Sequence, residues 1–287
     1  MNNKTKIFNS YRSELTNIAY GMLGSLHDAK DIVQDGYLRW TNVSTDDIKN
    51  PEGYLKTIIS RLCIDRLRSA KNQREEYYGP WLPQPIIGVS NNQPDSNIEL
   101  HDELTIALLH LLENLPVDQR AIYLLHDIFG YTFEEVAEMV DKNAAACRKA
   151  AQRARQRIQS NTLPDDLPKE EEQYIIEQFL QALQDRNIDK LQALLTDDAV
   201  LYSDGGGKAE AAPKPIISAK KISKFLVSIA DKNEGHVEIE FTHVNNRLGF
   251  KVYIKGELHS IWTFSLKKNT IIRIFSILNP DKLPDKK

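Results

Sequence analysis

Cysteine is nearly absent from this 287-residue chain, which has only Cys63 and Cys147. Neither lies in a paired spacing, which excludes a zinc knuckle or a disulfide-stapled scaffold and suits a reducing compartment. Both fall inside apolar helical patterns and are expected as small core residues. Long hydrophobic runs are missing too. No stretch approaches the roughly 18 apolar residues that a membrane span needs. Met1–Ser10 is polar and lacks the apolar stretch of a secretion signal. A cytoplasmic chain with no membrane partner is therefore expected. Charge of one sign is also lacking: 37 Lys and Arg stand against 40 Asp and Glu, a formal net charge of −3. That excludes a uniformly basic coat for nucleic acid but leaves room for local basic patches.

What is present is enough apolar material for real cores, 41% of residues, spread over a length that suits two or three domains. Residues 7–78 read as helical, with Pro51 as their only proline, placed where a helix can start. Residues 79–97 interrupt the pattern with Gly79, Pro80, Pro83, Pro85, Gly88, Asn91, Asn92 and Pro94 and read as a linker. Helical periodicity returns over 98–160, and a second break follows at Leu163–Pro168. The texture then changes. Residues 170–195 predict one or two helices, and 218–233 another. Val237–Phe241, Gly249–Ile254, His259–Leu266 and Thr270–Ile277 alternate with β-branched and aromatic residues, as strands of an antiparallel sheet do. Two all-helical modules are thus followed by an α+β module.

The strongest local signal spans Gly130–Ile158. Thr132 can cap a helix, with Glu135 three residues on to complete a capping box. Phe133, Val136, Ala137 and Val140 follow on one face. Asp141-Lys142-Asn143 makes a short turn, and Asn143 can cap the next helix. Two short helices joined by about three residues form a helix-turn-helix. On the second helix, Cys147, Ala150, Ala151, Ala154 and Ile158 share the buried arc. Arg148, Lys149, Gln152, Arg155 and Gln156 lie opposite, with Arg153 at the edge. Lys142–Arg157 holds six basic residues and no acidic one. Arg and Lys neutralise phosphates, and Arg and Gln can read base edges in the major groove.

In the N-terminal module, Leu15, Ile18, Ala19, Met22 and Leu23 form an apolar stripe, followed by the polar run Asp28–Asp35 and then Tyr37, Leu38 and Trp40. Further on, Asn50 can cap a helix whose first position is Pro51. Its basic residues Arg61, Arg66, Arg68, Lys71 and Arg74 gather toward the end. Gly79-Pro80-Trp81-Leu82-Pro83-Gln84-Pro85 follows.

Taken in order, residues 19–40, 51–86 and 115–158 resemble an extracytoplasmic-function RNA polymerase sigma factor. They cover region two, the linker and region four. The chain is most similar to a subgroup with a fused C-terminal SnoaL-like domain. The marks of that subgroup are "WLPQPI" in the linker, "DGGGK" at Asp204–Lys208 and "NPDKL" at Asn279–Leu283. The resemblance implies a fold of two all-α domains, region two over 1–78 and region four over 98–162. An α+β SnoaL-like cone-shaped barrel over 168–287 would follow. It implies a promoter-recognition subunit, not an enzyme, that needs no cofactor or metal. Asp28, Asp31, Gln34 and Asp35 would bind the clamp helices of the largest polymerase subunit. An acidic and amide-bearing face suits a basic partner. Asn50, Tyr54, Arg61, Arg66 and Arg68 would serve the minus-ten element, and a loop within Thr41–Tyr54 would capture an unstacked base. Asn143, Arg148, Lys149, Gln152, Arg153, Arg155 and Gln156 would read the minus-thirty-five element. Trp81, Asp204, Gly205, Gly206, Gly207, Lys208, Asn279, Pro280, Asp281, Lys282 and Leu283 would serve control by the C-terminal domain. That domain would contact the sigma modules within a chain that is monomeric when free.

Two other readings of the residues stay open. One is a stand-alone helix-turn-helix regulator with a ligand-sensing barrel. The other is a SnoaL-like enzyme with a DNA-binding appendage, for which Asp204, Asp231, His236, His243 and His259 would be acid/base candidates. Their spacing does not force any two together, and Gly205–Lys208 lacks the spacing of a phosphate loop.

Overall fold

The computed structural model describes residues 3–44, 48–75, 77–88, 100–159, 167–232 and 235–284, with the side chains of 70–75 left aside. Lys71 and Arg74, and part of the Thr41–Tyr54 loop, therefore lie outside the described side chains. So does the linker from Val89 onward. The chain forms two compact units. The first holds residues 1–75, 89–104 and 108–161; the second holds 76–88, 105–107 and 162–287. Among the described residues, no helix is long and apolar enough to cross a membrane.

The first unit is all helical: α1 (Asn3–Leu23), α2 (Leu26–Asn42), α3 (Pro51–Glu75), α4 (Ile106–Glu113, whose first two residues pack in the second unit), α5 (Val117–Tyr123), α6 (Phe133–Val140) and α7 (Ala144–Gln159). Each boundary has a local cause. Gly24 takes φ +66° after α1, a left-handed position that suits glycine. The Ser25 hydroxyl accepts from the Asp28 amide to cap α2, and the Asn50 side chain accepts from the Gly53 amide at the start of α3. Trp40 is fully buried and donates its indole N–H to the Lys4 carbonyl at 2.9 Å. Cys63 and Cys147 are both buried thiols, as the periodicity predicts.

The second unit is α+β. Helices α8 (Lys169–Gln184), α9 (Ile188–Ala193) and α10 (Ala219–Lys232) pack with one sheet. Its strands are β1 (Leu195–Asp204), β2 (Ile216–Ile217), β3 (Val237–Val244), β4 (Arg247–Ile254), β5 (Glu257–Lys267) and β6 (Thr270–Ile277), ordered β2-β1-β6-β5-β4-β3. This is the SnoaL-like α+β domain, built as one sheet that ends in β2 and β3. Three successive two-residue hairpin loops, Asn245-Asn246, Lys255-Gly256 and Lys268-Asn269, all have positive φ. That is the twist-matched geometry for tight hairpins.

Strand β1 is absent from the sequence-based expectation. Asp197 and Asp198 are exposed and break its alternation, and its burial becomes regular only from Ala199. Its neighbour β6 runs parallel to it, so no hairpin marks the pairing. One sheet face, with Leu201, Phe250, Phe264 and Ile274, packs on the three helices. The other, with Ile261, Phe275 and Ile277, is covered by Leu82, Ile87, Ile106 and Ala107.

The composition of 79–97 suggests a loose linker, but its described part is held. Ile87 bridges Val244 in antiparallel fashion. The Gly88 amide donates to the His243 carbonyl at 2.7 Å, and the Asn245 amide donates to Ile86 at 2.8 Å. Proline within 80–85 excludes helix but not an extended path against an apolar sheet face.

Candidate functional site

The helix-turn-helix forms as its sequence dictates. Thr132 accepts from the Glu135 amide while the Glu135 carboxylate accepts from the Thr132 amide, which completes the capping box on α6. Asp141 closes α6 at φ +56°. The Asn143 side chain accepts from the Ala146 amide at 2.8 Å and starts α7. Cys147, Ala151, Ala154 and Ile158 form the buried stripe of α7. The small alanines let the helix lie close to its support.

That stripe sets the outward direction. At about 100° per residue, Lys149, Gln152, Arg153 and Gln156 lie within about 50° of it. All four are exposed. Arg148 and Arg155 lie on the flank and are committed elsewhere. Arg148 pairs with Glu134 at 2.6 Å and sits over the Phe133 ring. Arg155 is half-buried and pairs with Asp127 at 2.5 Å. Arg153 therefore moves from the edge of the expected face to its centre, and Arg155 leaves that centre. The buried set decides the difference, because Ala150 is only partly covered.

The partner of Arg155 comes from an irregularity that periodicity does not show. After α5 the chain widens into a π-helical turn, Leu124–Ile128. Such turns insert a residue and re-aim side chains. Asp127 lies in this turn, and His126 stacks on Phe133 with ring centroids 3.7 Å apart.

On α2, Asp31, Gln34 and Asp35 are exposed along one helical face. Asp28 is only half-exposed and pairs with Arg66 at 2.8 Å. Leu38 continues that face and is 53% exposed, an apolar residue that sequence reasoning passed over. Ligand atoms of His27, Asp28 and Asp31 lie within 4.8 Å of one another on this open surface. On α3, Asn50 serves as cap and Tyr54 packs at 6.0 Å from Trp40. Arg61 donates to the Glu138 carbonyl at 2.9 Å and lies 3.9 Å from Asp141. Arg68 pairs with Asp118 at 3.1 Å.

In the second unit, the regulatory candidates converge on Asp204, which is 0% exposed at the end of β1. Its carboxylate accepts from the Tyr77 hydroxyl at 2.5 Å. It also accepts from the Leu82 amide at 2.8 Å and the Lys282 ammonium at 2.7 Å. Lys282 also donates to the Leu82 carbonyl at 2.6 Å. It lies over the rings of Trp81 at 4.2 Å and Tyr77 at 5.0 Å. Asn279 donates to the Tyr77 hydroxyl at 2.8 Å and caps the short turn Pro280–Lys282. Lys208 pairs with Asp281 at 2.5 Å. Burial, then the neighbouring Asp204 carboxylate, pushes the Tyr77 phenol well above its ordinary range and keeps it a donor. Tyr77 was not singled out by sequence reasoning, since it precedes the proline-rich stretch and lies far from Asp204 along the chain.

The glycine triplet fits the same arrangement. Gly206 and Gly207 have φ +59° and +71°. A Cβ at Gly206 would overlap the Asn279 amide. Gly206→Ala is therefore expected to destabilise this unit by about 1–2 kcal/mol, the usual penalty for a left-handed alanine, plus the overlap. Chemical denaturation of the unit, with Gly205→Ala alongside it, measures the difference.

The acid/base candidates do not form a site. Asp231 pairs with Arg186 at 2.7 Å. Burial lowers the pKa of His259, whose near contact is Ser260. His236 and His243 are exposed. A cavity in this unit is lined by Thr105, Ile106, Leu167, Glu172, Arg247 and Phe264, among others, and by none of the five candidates.

A capped helix-turn-helix with an outward basic face, on a helical unit with an acidic α2 face, defines a promoter-reading transcription factor. Sigma-70 region 2 matches residues 7–73, and Sigma-70, region 4, matches residues 105–158. The chain is 30% identical to the ECF RNA polymerase sigma factor SigJ of Mycobacterium tuberculosis, over 96% of this chain and 91% of that one. It is 30% identical to a probable ECF sigma factor SigI of the same species, over 65% and 64%. The crystal structure of M. tuberculosis SigJ superposes with a TM-score of 0.80 at 28% identity, covering 97% of both chains. The chain belongs to the extracytoplasmic-function sigma factors. It is a transcription-initiation factor of a non-enzymatic family, which binds RNA polymerase and recognises promoters.

Proposed function

We propose that α2 docks on the clamp helices of the largest polymerase subunit in the cytoplasm through Asp31, Gln34, Asp35 and the exposed Leu38. Asp28 contributes once Arg66 is released. The α3 surface with Asn50, Tyr54, Arg61, Arg66 and Arg68 serves the minus-ten element, and α7 enters the major groove at the minus-thirty-five element. Domain limits at 1–78, 98–162 and 168–287 suit this division. The carrying observation is the outward set Lys149, Gln152, Arg153 and Gln156. These are exposed donors on a short helix whose opposite side is all small or apolar.

The C-terminal domain modulates this activity through the linker. Residues Asp204–Lys208 and Asn279–Leu283 grip Tyr77, Trp81 and Leu82, and so set the path of the chain that joins region two to region four. A monomer suffices, because the gripping groups and the linker belong to one chain. Reconstitution with core polymerase and mapping of transcription starts on genomic DNA tests the reading. Core-dependent starts from a shared promoter pattern are expected. Sequence-specific footprints without core, and no starts with it, would instead mark a stand-alone regulator.

A further inference from the structure

The region-two surface proposed for the minus-ten element is occupied by region four. Arg61 is held by the Glu138 carbonyl and approaches Asp141. Arg68 shares Asp118 with Lys142, which lies 2.9 Å from that carboxylate. Burial works to raise the Asp118 carboxyl, but the hydrogen bonds and charges of Lys142 and Arg68 outweigh it and hold its pKa below the ordinary value.

A more buried node lies beside these pairs. The Tyr131 hydroxyl donates to Glu14 at 2.5 Å. Lys56, its side chain 6% exposed, lies 2.8 Å from the same carboxylate and 4.5 Å from the centre of the Tyr131 ring. Burial disfavours the Lys56 ammonium, but the Glu14 and Glu52 hydrogen bonds more than offset it and keep it charged. Tyr131 belongs to region four, and Glu14, Glu52 and Lys56 to region two.

Distance decides what this packing means. Elements centred near −35 and −10 are about 25 base pairs apart, roughly 85 Å of B-DNA at 3.4 Å per pair. Asp141 lies 3.9 Å from Arg61 and two residues before α7. A helix of that length spans only about 24 Å. No residue of the recognition helix can then reach the upstream element while Arg61 reaches the downstream one.

We propose that this is a closed, promoter-incompetent state in which Asp118, Asp141 and Tyr131 of region four act as an internal competitor for the minus-ten surface of region two. The proposal rests on the assignment of α3 and α7 given above. The acidic groups stand where phosphates would otherwise meet Arg61 and Arg68. Core polymerase opens the pair by binding the open arrangement better than the closed one.

The test is energy transfer between fluorophores on Lys30→Cys and Gln159→Cys in the full chain, where the two native thiols are buried. High transfer is expected for the free protein and low transfer on core polymerase. The combined variant Asp118→Asn, Tyr131→Phe, Asp141→Asn is expected to lose transfer without polymerase. It should also bind the single-stranded non-template minus-ten segment of a mapped promoter about tenfold more tightly, as loss of several weak contacts implies. Raising salt on the unsubstituted chain should lower transfer in the same direction, which needs no variant to fold. Transfer that is unchanged on polymerase overturns the proposal and leaves the sigma reading intact. So does a variant with unaltered transfer and affinity. Failure to bind polymerase at all would overturn the sigma reading itself.

Discussion

Asp204→Asn should free the linker from the C-terminal domain and destabilise that unit by about 3 kcal/mol, the scale for removing one partner of a buried ion pair. The carboxylate is fully buried and takes three donors at once. Asparagine keeps the shape but loses the charge, and its amide would point a donor toward donors. The Lys282 ammonium, mostly buried between Trp81 and Tyr77, is then left with carbonyl and ring contacts only. Two measurements check this. Hydrogen exchange at the Leu82 amide should accelerate, and limited proteolysis should cut within 77–88 where the unsubstituted chain resists. Transcription from a mapped promoter should shift in the same variant. A variant with unchanged exchange and unchanged transcription would show that the buried carboxylate does not hold the linker.

Arg153→Ala should weaken promoter binding by polymerase holoenzyme by about 5- to 150-fold, corresponding to a base contact of about 1–3 kcal/mol. Arg155→Ala should act differently. It leaves Asp127, whose side chain is 17% exposed, without its cation, so it should lower the stability of the helix-turn-helix more than it changes base preference. Promoter affinity at two salt concentrations separates the outcomes. A phosphate contact at Arg153 would reduce the salt slope by about one, whereas a base contact would relax preference at one position. Equal losses of affinity and specificity for both substitutions would mean that α7 presents its flank, not its centre, to the groove.

The helix-turn-helix was legible because its signals are local. Thr132, Glu135, Asn143 and the alanine stripe act within four residues of their partners. The same holds for Asn50 and Pro51 on α3. The four strands from Val237 to Ile277 were legible for a similar reason, since each turns into the next through a two-residue loop. Strand β1 was not, because its neighbour β6 lies some seventy residues away and its first residues are acidic. Asp204, Trp81 and Lys282 were singled out by resemblance alone. Nothing in their spacing shows that they meet, and Tyr77 escaped notice altogether.

By itself, then, the amino-acid order determined which segments are helices, where they start, which face of α7 is apolar, and that the chain ends in an α+β module. These follow from hydrogen bonds and periodicities spanning a few residues. Only the tertiary structure decided which arginines are committed and which are free. A guanidinium has the same sequence signature whether it faces water, as Arg153 does, or a carboxylate brought in by a π-helical turn, as Arg155 does. It also decided that the proline-rich linker is bound instead of loose. The carboxylate that binds it lies more than a hundred residues away, and close contacts at that separation are set by packing, which no local pattern records.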